Sequence, residues 1–269
     1  MPCSSCRFCS RRAPSWRHSR PTLPSLATCA SENPMFSPVV YDFWMRGVDV
    51  SARRDGVHVV VDATLTESRS VSLLTAAEGP RVLALSPSRA TELGVAHGDE
   101  LDLDQVTSAL REAGITLNDP DDVFHFMAAD ARTLVAEPAR PGVRALTIDD
   151  RAEFGRFAAT APEDDVDEAF VELDHWLVFG CFVDDTLVTA ASMYPWDNST
   201  LADTGVLTLP DYRARGYAAA TVRALSAEAL RRGYEPQYRC QVDNLGSVAV
   251  ARSAGLTRFG TWKVILPDD

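Results

Sequence analysis

The sequence predicts a mixed α/β (α+β) protein built in two parts, and three observations lead there. Short β-branched or apolar runs alternate with amphipathic stretches bounded by Ser, Asp, Pro and Gly signals. A segment broken by two prolines and a glycine, residues 137–142, divides the alternation. With 269 residues, 46% of them hydrophobic, each part is long enough to bury a core of its own.

Composition excludes several classes. The chain is too apolar to be disordered, and it contains no run of eighteen apolar residues with which to span a membrane. A net charge of −12, from 26 basic and 38 acidic side chains, disfavours nucleic acid, whose site leaves a clustered basic footprint. The charge is unevenly spread. Residues 1–34 carry five Arg against Glu32 alone, which leaves 21 basic and 37 acidic side chains, a net of −16, on residues 35–269. The same tail holds Cys3, Cys6, Cys9 and Cys29. It is aperiodic and rich in Ser, Arg and Pro, so it reads as a disordered or mis-annotated leader, with Met35 as the natural start. A transit peptide is a second reading. Cys3-x-x-Cys6-x-x-Cys9 has knuckle-like spacing, but a closed zinc site wants four ligands and only Cys29 or His18 remain, so no metal is expected. Cys181 and Cys240 read as reduced core thiols of a cytoplasmic protein.

Residues 35–136 are expected to form a smaller α/β accessory domain. Val57-His-Val-Val-Val-Asp62 and Arg81-Val-Leu-Ala-Leu-Ser86 read as strands. Ser86 and Pro87 open a short helix that Gly94 stops, and a longer helix runs from Asp104, its N-cap, to Gly114. Asp122-Val-Phe-His-Phe-Met127 reads as a strand in which His125 is packed. Nothing in this part has the form of a catalytic constellation, and its expected role is that of a helper that covers a cleft of the second part.

After the break, 143–147 reads as a strand, followed by helices from Asp149 or Asp150 to about Ala159 and over 164–173. Residues 176–183 and 186–193 read as an antiparallel hairpin turned by Asp184-Asp185. A strand over 203–209 ends at Pro210, and the loop Asp211-Tyr-Arg-Ala-Arg-Gly-Tyr-Ala218 runs straight into a helix that stops at Gly233. On that helix Ala218, Val222, Leu225 and Ala229 share one face. A helix start offers unpaired N–H groups and about half a positive charge, a ready anion site. Gly216 lets the backbone approach closely, Ala218 keeps the first turn small, and Arg213 and Arg215 add cations. Together they describe a pyrophosphate cradle.

The residue order narrows this further. Arg213-x-x-Gly216-x-Ala218, led by Pro210-Asp-Tyr212, resembles the Arg/Gln-x-x-Gly-x-Gly/Ala signature of the GNAT N-acetyltransferases. Asn244-Leu-Gly-Ser247, with Gly255-Leu256 eleven residues after the Asn, is similar to that family's next block. Strands over 237–242 and 261–266 complete the pattern, so the resemblance covers about residues 143–269. It implies the GNAT acyl-CoA N-acyltransferase fold, with acetyl-CoA as co-substrate. It also implies a strand before the loop that splays from its neighbour and offers Val206, Leu207 and Thr208 to the pantetheine and acetyl group. By the same resemblance Arg213, Ala214, Arg215, Gly216, Tyr217, Ala218 and Ala219 bind pyrophosphate, and Asn244 and Ser247 line the pantetheine arm or support the helix beside it.

The reaction implied is transfer of an acetyl group to a primary amine, on a small molecule or a protein N-terminus, by direct attack in a ternary complex. Such an amine has a pKa near about 10, so a proton must be removed. Asp203 is the candidate base, with a turn-forming Asp as the competing reading. Many relatives carry a Tyr seven residues after the Asn, placed to protonate the leaving thiolate, where this chain has Ala251; Tyr212, Tyr217 or another group substitutes, or water does so, or no strong acid is needed. The acidic run Glu163-Asp-Asp-Val-Asp-Glu168 reads as helix-start carboxylates before it reads as an attractor for a cationic acceptor. Glu172, Asp174 and His175 either line the cleft or flank a strand. The alternative function is a non-catalytic acyl-CoA-binding sensor. A degenerate second copy over about 40–136 is disfavoured, since no second signature occurs there, and a homodimer is compatible with the sequence.

Overall fold

The computed structural model describes residues 35–266, so the readings of the leader, including its cysteines, lie outside the described residues. Before the break lie α1 (Pro38–Met45), β1 (Val57–Val61), β2 (Val71–Ala76), β3 (Arg81–Leu85), α2 (Pro87–Leu93), β4 (Glu100–Leu101), α3 (Leu103–Glu112), β5 (Asp121–His125) and α4 (Ala128–Leu134). After it come β6 (Val143–Ala145), α5 (Arg151–Thr160), α6 (Glu163–Ala169), β7 (Leu177–Val183), β8 (Thr186–Pro195), β9 (Leu201–Thr208), α7 (Tyr217–Arg231), β10 (Glu235–Gln241), α8 (Leu245–Ser253) and β11 (Thr257–Val264). None of these helices is long and apolar enough to cross a membrane.

Local chemistry sets most boundaries. Ser86 caps α2 through the Arg89 amide, and Gly94 closes it in the left-handed region at φ 66°. The cap of α3 is Asp102 and not Asp104, because Asp102 and Gln105 satisfy each other's backbone amides in a capping box. Asp184 and Asp185, both at positive φ, turn β7 into β8 as expected. Strand β2 was not anticipated, since Ser72 and Thr75 interrupt its apolar run. Helix α6 stops short of residue 173, at Phe170, whose φ of 46° leaves the helical region.

All eleven strands of the described residues join one sheet, in the order β4-β1-β3-β2-β11-β5-β10-β9-β8-β7-β6. Strand β5 lies between two strands of the second part. Its Val123 stands opposite Arg239 of β10 on one edge and Gly260 of β11 on the other. The two parts read from the sequence therefore share one hydrogen-bonded sheet, and 137–142 breaks the chain's local structure without breaking the ladder. Proline and glycine report on local backbone only, so they carry no information about which edge a strand will find.

Helices cover both faces. On one, α7 packs Val222, Leu225 and Ala229 on Phe124, Ala191, Met193 and Tyr238, and α2 and α3 bury Ala90, Val106 and Leu110 on β1 to β3. On the other, α1 buries Val40 and Trp44 against Leu74, Val123 and Trp262, while α5 places Phe157 on Val178, Ala190 and Leu207. The alternation of Ala190 and Ala191, or of Leu73 and Leu74, between these clusters is the two-residue period of a sheet buried on both sides.

His125 is wholly buried in β5, as its Phe neighbours suggest. Trp44 Nε1 donates to its Nε2 at 3.1 Å, and its Nδ1 meets the Pro236 carbonyl oxygen at 3.0 Å. A carbonyl can only accept, so Nδ1 carries the proton and the ring is neutral. Burial holds its pKa down, to about 4. The stabilisation from a depressed histidine is full above its unfolded value of about 6.5 and is lost as pH falls toward the folded value. Urea unfolding should lose about 3 kcal/mol between pH 7 and pH 4 from this group, from a depression to about 4 at roughly 1.4 kcal/mol per unit. His125→Gln should flatten that slope, and an unchanged slope would contradict it. The sheet order gives a second prediction. A fragment of residues 137–269 lacks the strand between β10 and β11 and should show no cooperative unfolding by circular dichroism. A fragment as stable as the whole chain would contradict the shared sheet.

Candidate functional site

The parallel ladder between β9 and β10 begins at Leu201↔Glu235 and stops at Thr204↔Tyr238. Beyond it the strands part. Strand β9 stays paired to β8 through Ala191↔Val206, Ala190↔Leu207 and Thr189↔Thr208, while β10 turns its other edge to β5. Val206, Leu207 and Thr208 thus lie where β9 has left β10, the position expected of them. Leu207 is buried under α5, Val206 packs toward α7, and the Thr208 hydroxyl lies 2.9 Å from that of Thr189.

A single turn of 3-10 helix, Pro210–Tyr212, links β9 to the loop. Ala214 (φ 57°) and Gly216 (φ 77°) both take the left-handed conformation, and α7 begins at Tyr217. No side chain caps that helix, so the first-turn N–H groups of Tyr217, Ala218 and Ala219 face outward without an acceptor in the helix. A Cβ built on Gly216 would meet only Arg140 Nη1, at 3.7 Å, so glycine is needed here for its φ and not for crowding.

The cations are arranged differently from the expectation. Arg213 is committed within the protein: its Nε donates to the Thr208 carbonyl at 3.1 Å and its Nη2 to Asp165 at 2.6 Å. It ties the loop to the end of β9 and to α6, which also spends one carboxylate of the acidic run. Arg215 lies over the Tyr212 ring at 5.5 Å and is exposed. The residue that sequence reasoning missed is Arg140. It sits in the Pro-rich break, its guanidinium 5.1 Å above the Tyr217 ring and 3.5 Å from the Arg215 carbonyl, and it has no acidic partner among the described residues. No local signal marks it, because only the return of the chain to β6 carries it to the loop.

Asn244 accepts the Ser247 amide at 3.0 Å as the N-cap of α8, so these two support the helix beside α7. Tyr238, next to them, hydrogen-bonds Ser247, and burial pushes its phenol well above the ordinary value. Ala251 is completely buried and brings no acid. Tyr212 and Tyr217 are half-buried against the core of α5 and α7. Asp203 is the clearest departure. Arg239 grips it with Nε at 3.1 Å and Nη2 at 2.8 Å, Gln237 donates to it at 2.9 Å, and the Tyr194 hydroxyl at 3.2 Å. With its oxygens so occupied, Asp203 is the counter-ion of a buried arginine, and both oxygens are already engaged by donors within the protein. Burial works against the Arg239 charge, but the Asp203 carboxylate beside it prevails and holds the arginine above its usual range. Arg239→Met strands the buried carboxylate and should cost about 3–5 kcal/mol in urea unfolding; a loss under about 1 kcal/mol would show the pair to be dispensable.

Comparison with known proteins supplies the family. The acetyltransferase (GNAT) family model matches residues 144–256. A search of curated proteins finds no match. Among solved structures, a putative GNAT-family acetyltransferase from Novosphingobium aromaticivorans is 20% identical, with 58% of this chain and 67% of that one covered at a TM-score of 0.41. A GNAT-family acetyltransferase from Colwellia psychrerythraea is 15% identical, with 62% of each chain covered, under two thirds of its length, at a TM-score of 0.43. A GNAT protein from Kribbella flavida is 17% identical, with 61% of this chain and 64% of that one covered, at 0.42. The family-model match, over a segment that contains the loop, the split strand and the capped α8, makes residues 144–256 of this chain an acetyltransferase domain of the GNAT family, whose members transfer acyl groups from acyl-CoA.

Proposed function

We propose that the chain is an acetyl-CoA-dependent N-acyltransferase that acetylates a primary amine by direct attack in a ternary complex. One observation carries this reading: two left-handed residues deliver an uncapped fifteen-residue helix directly beside the open edge of β9. The residues fit a pyrophosphate. Several N–H donors converge, Gly216 leaves room, and Arg140 and Arg215 add charge that Arg213 does not. The dipole alone is worth roughly 0.3–1 kcal/mol per charge, so the donors and arginines must hold most of the phosphate.

Bound acetyl-CoA would supply the activated acetyl group. Arg213 keeps the loop against β9, and Asn244 keeps α8 beside α7, so the cradle and the open strand edge stay in fixed relation. Backbone groups of Val206 to Thr208 are the orienting edge, and donors fixed there need no rearrangement as charge develops. On α6, Asp165 is spent on Arg213, so that carboxylate of the acidic run is not offered to a cationic acceptor. A sensor that binds acyl-CoA without turnover is favoured by one feature, the buried Ala251 in the position of an acidic Tyr.

Titration calorimetry and thiol release from acetyl-CoA, across benzylamine, spermidine and a peptide with a free N-terminus, test the reading. Wild-type protein should bind acetyl-CoA and release thiol with an amine of this kind. Gly216→Glu should abolish binding while the protein remains folded, by placing a carboxylate at the phosphate position. Arg140→Ala should weaken binding about tenfold, the scale of one charge-assisted hydrogen bond. Unchanged affinity in folded Gly216→Glu would sink the assignment. Tight binding with no thiol release on any amine, beside an active control enzyme, would establish the sensor.

A further inference from the structure

His175 stands over the point where β9 and β10 part. It is held there by Ser192, whose hydroxyl lies 2.7 Å from its Nδ1. Ser192 is the register partner of Gly205, the first residue of β9 beyond the last pair with β10. Opposite residues of an antiparallel pair share a face, so the ring projects over that opening on the side of α5 and α6. Gly205 itself admits no side chain, because a Cβ would overlap the Ala169 carbonyl; the end of α6 is pressed onto the strand here. Phe170 and Tyr194 flank the imidazole, each with its centroid 5.1 Å away. Its Nε2 points the other way, toward the Glu172 carboxylate at 3.5 Å, and that carboxylate is half exposed at 53%. One ring nitrogen is thus anchored to a buried hydroxyl, and the other faces a carboxylate that is itself half exposed.

We propose that His175 is the proton acceptor for the amine, taking a proton from its ammonium form through Nε2 while Ser192 fixes the ring. This rests on the acyltransferase reading above. The step balances in itself. One N–H bond of the ammonium breaks, its electron pair stays on the amine nitrogen, and the proton forms the Nε2–H bond of an imidazolium. The step requires Nδ1–H to donate to Ser192 Oγ, 2.7 Å away, and Glu172 and Asp174 stabilise the cation that forms. The charged groups around the ring are those two on its own segment and Asp203, paired with Arg239, behind Tyr194; Ser192 and Phe170 bring none. Burial lowers the histidine's pKa and Asp174 raises it, with burial prevailing, so the neutral ring that can accept a proton dominates at neutral pH. The same geometry explains why Asp203, saturated by four donors, need not take this part.

Nitrogen-15 NMR of the ligand-free protein, with His175→Gln to assign the signal, tests the proposal without any substrate. The neutral ring should be the Nδ1–H tautomer and should titrate below 6.5, and Asp174→Asn should move the midpoint lower still. An Nε2–H tautomer would overturn the proposal. In thiol release with the fastest amine of the panel, the acid limb of the rate should follow that midpoint. His175→Gln should lose about 100-fold or more at neutral pH while acetyl-CoA affinity is kept. A variant within about twofold of wild type, with its acid limb in place, overturns the histidine's role and leaves the acyltransferase reading intact. Absence of acetyl-CoA binding by the wild-type protein overturns both.

Discussion

The buried pair of Asp203 and Arg239 is the constraint on which the rest of the site depends. Strand β9 must hydrogen-bond β10 as far as Thr204 and then leave it, and the pair spans that fork. Arg239 reaches from β10, beyond the last ladder pair, back to a carboxylate within the ladder. The planes of Trp196, 4.0 Å away, and Trp262, 5.4 Å away, enclose its guanidinium. Apolar residues of equal volume could match its contribution to stability, but they would not set where two strands part. An ion pair with two parallel hydrogen bonds has one good geometry, which fixes the fork and with it Val206 to Thr208 on one side and His175 on the other.

The fork is also the place where the two halves of the chain cease to be separable. Strand β5 fills the edge that β10 turns away from β9, and its His125 takes the Pro236 carbonyl of β10 and the Trp44 indole of α1. Residues that carry no catalytic pattern therefore hold the strand on which the site is built. Charge follows a similar logic. The body of the chain is strongly acidic, yet at the loop the helix N–H groups, Arg140 and Arg215 set a local field of opposite sign. On the proposed function, an anion at the loop would be recognised at a few ångströms by those groups, where the average charge of the protein is largely screened.

What the sequence made legible was whatever lies within a few residues of itself. The loop at 213–219, the Ser86 and Asn244 caps, the Asp184-Asp185 turn and the packed His125 all follow from spacing and side-chain chemistry. The misses share a cause, which is that they depend on partners far along the chain. Asp203 read as a candidate base or a turn Asp because Arg239 lies 36 residues on, and Arg140 read as part of a chain break because its neighbour Arg215 is 75 residues away. The insertion of β5 between β10 and β11 belongs to the same class, since strand pairing carries no local signature. Ser192 shows the limit from the other side. It is an ordinary residue of an apolar strand until the fold sets His175 upon it.

On the proposed function, the loop and the first turn of α7 hold the phosphates of acyl-CoA with backbone N–H groups. The most direct measurement is the amide proton–nitrogen correlation spectrum of the protein titrated with acetyl-CoA. The amides of residues 215–219 should shift most, downfield as hydrogen bonds to phosphate form, with smaller changes along 205–208. Saturable binding that leaves those amides in place and shifts others would contradict it.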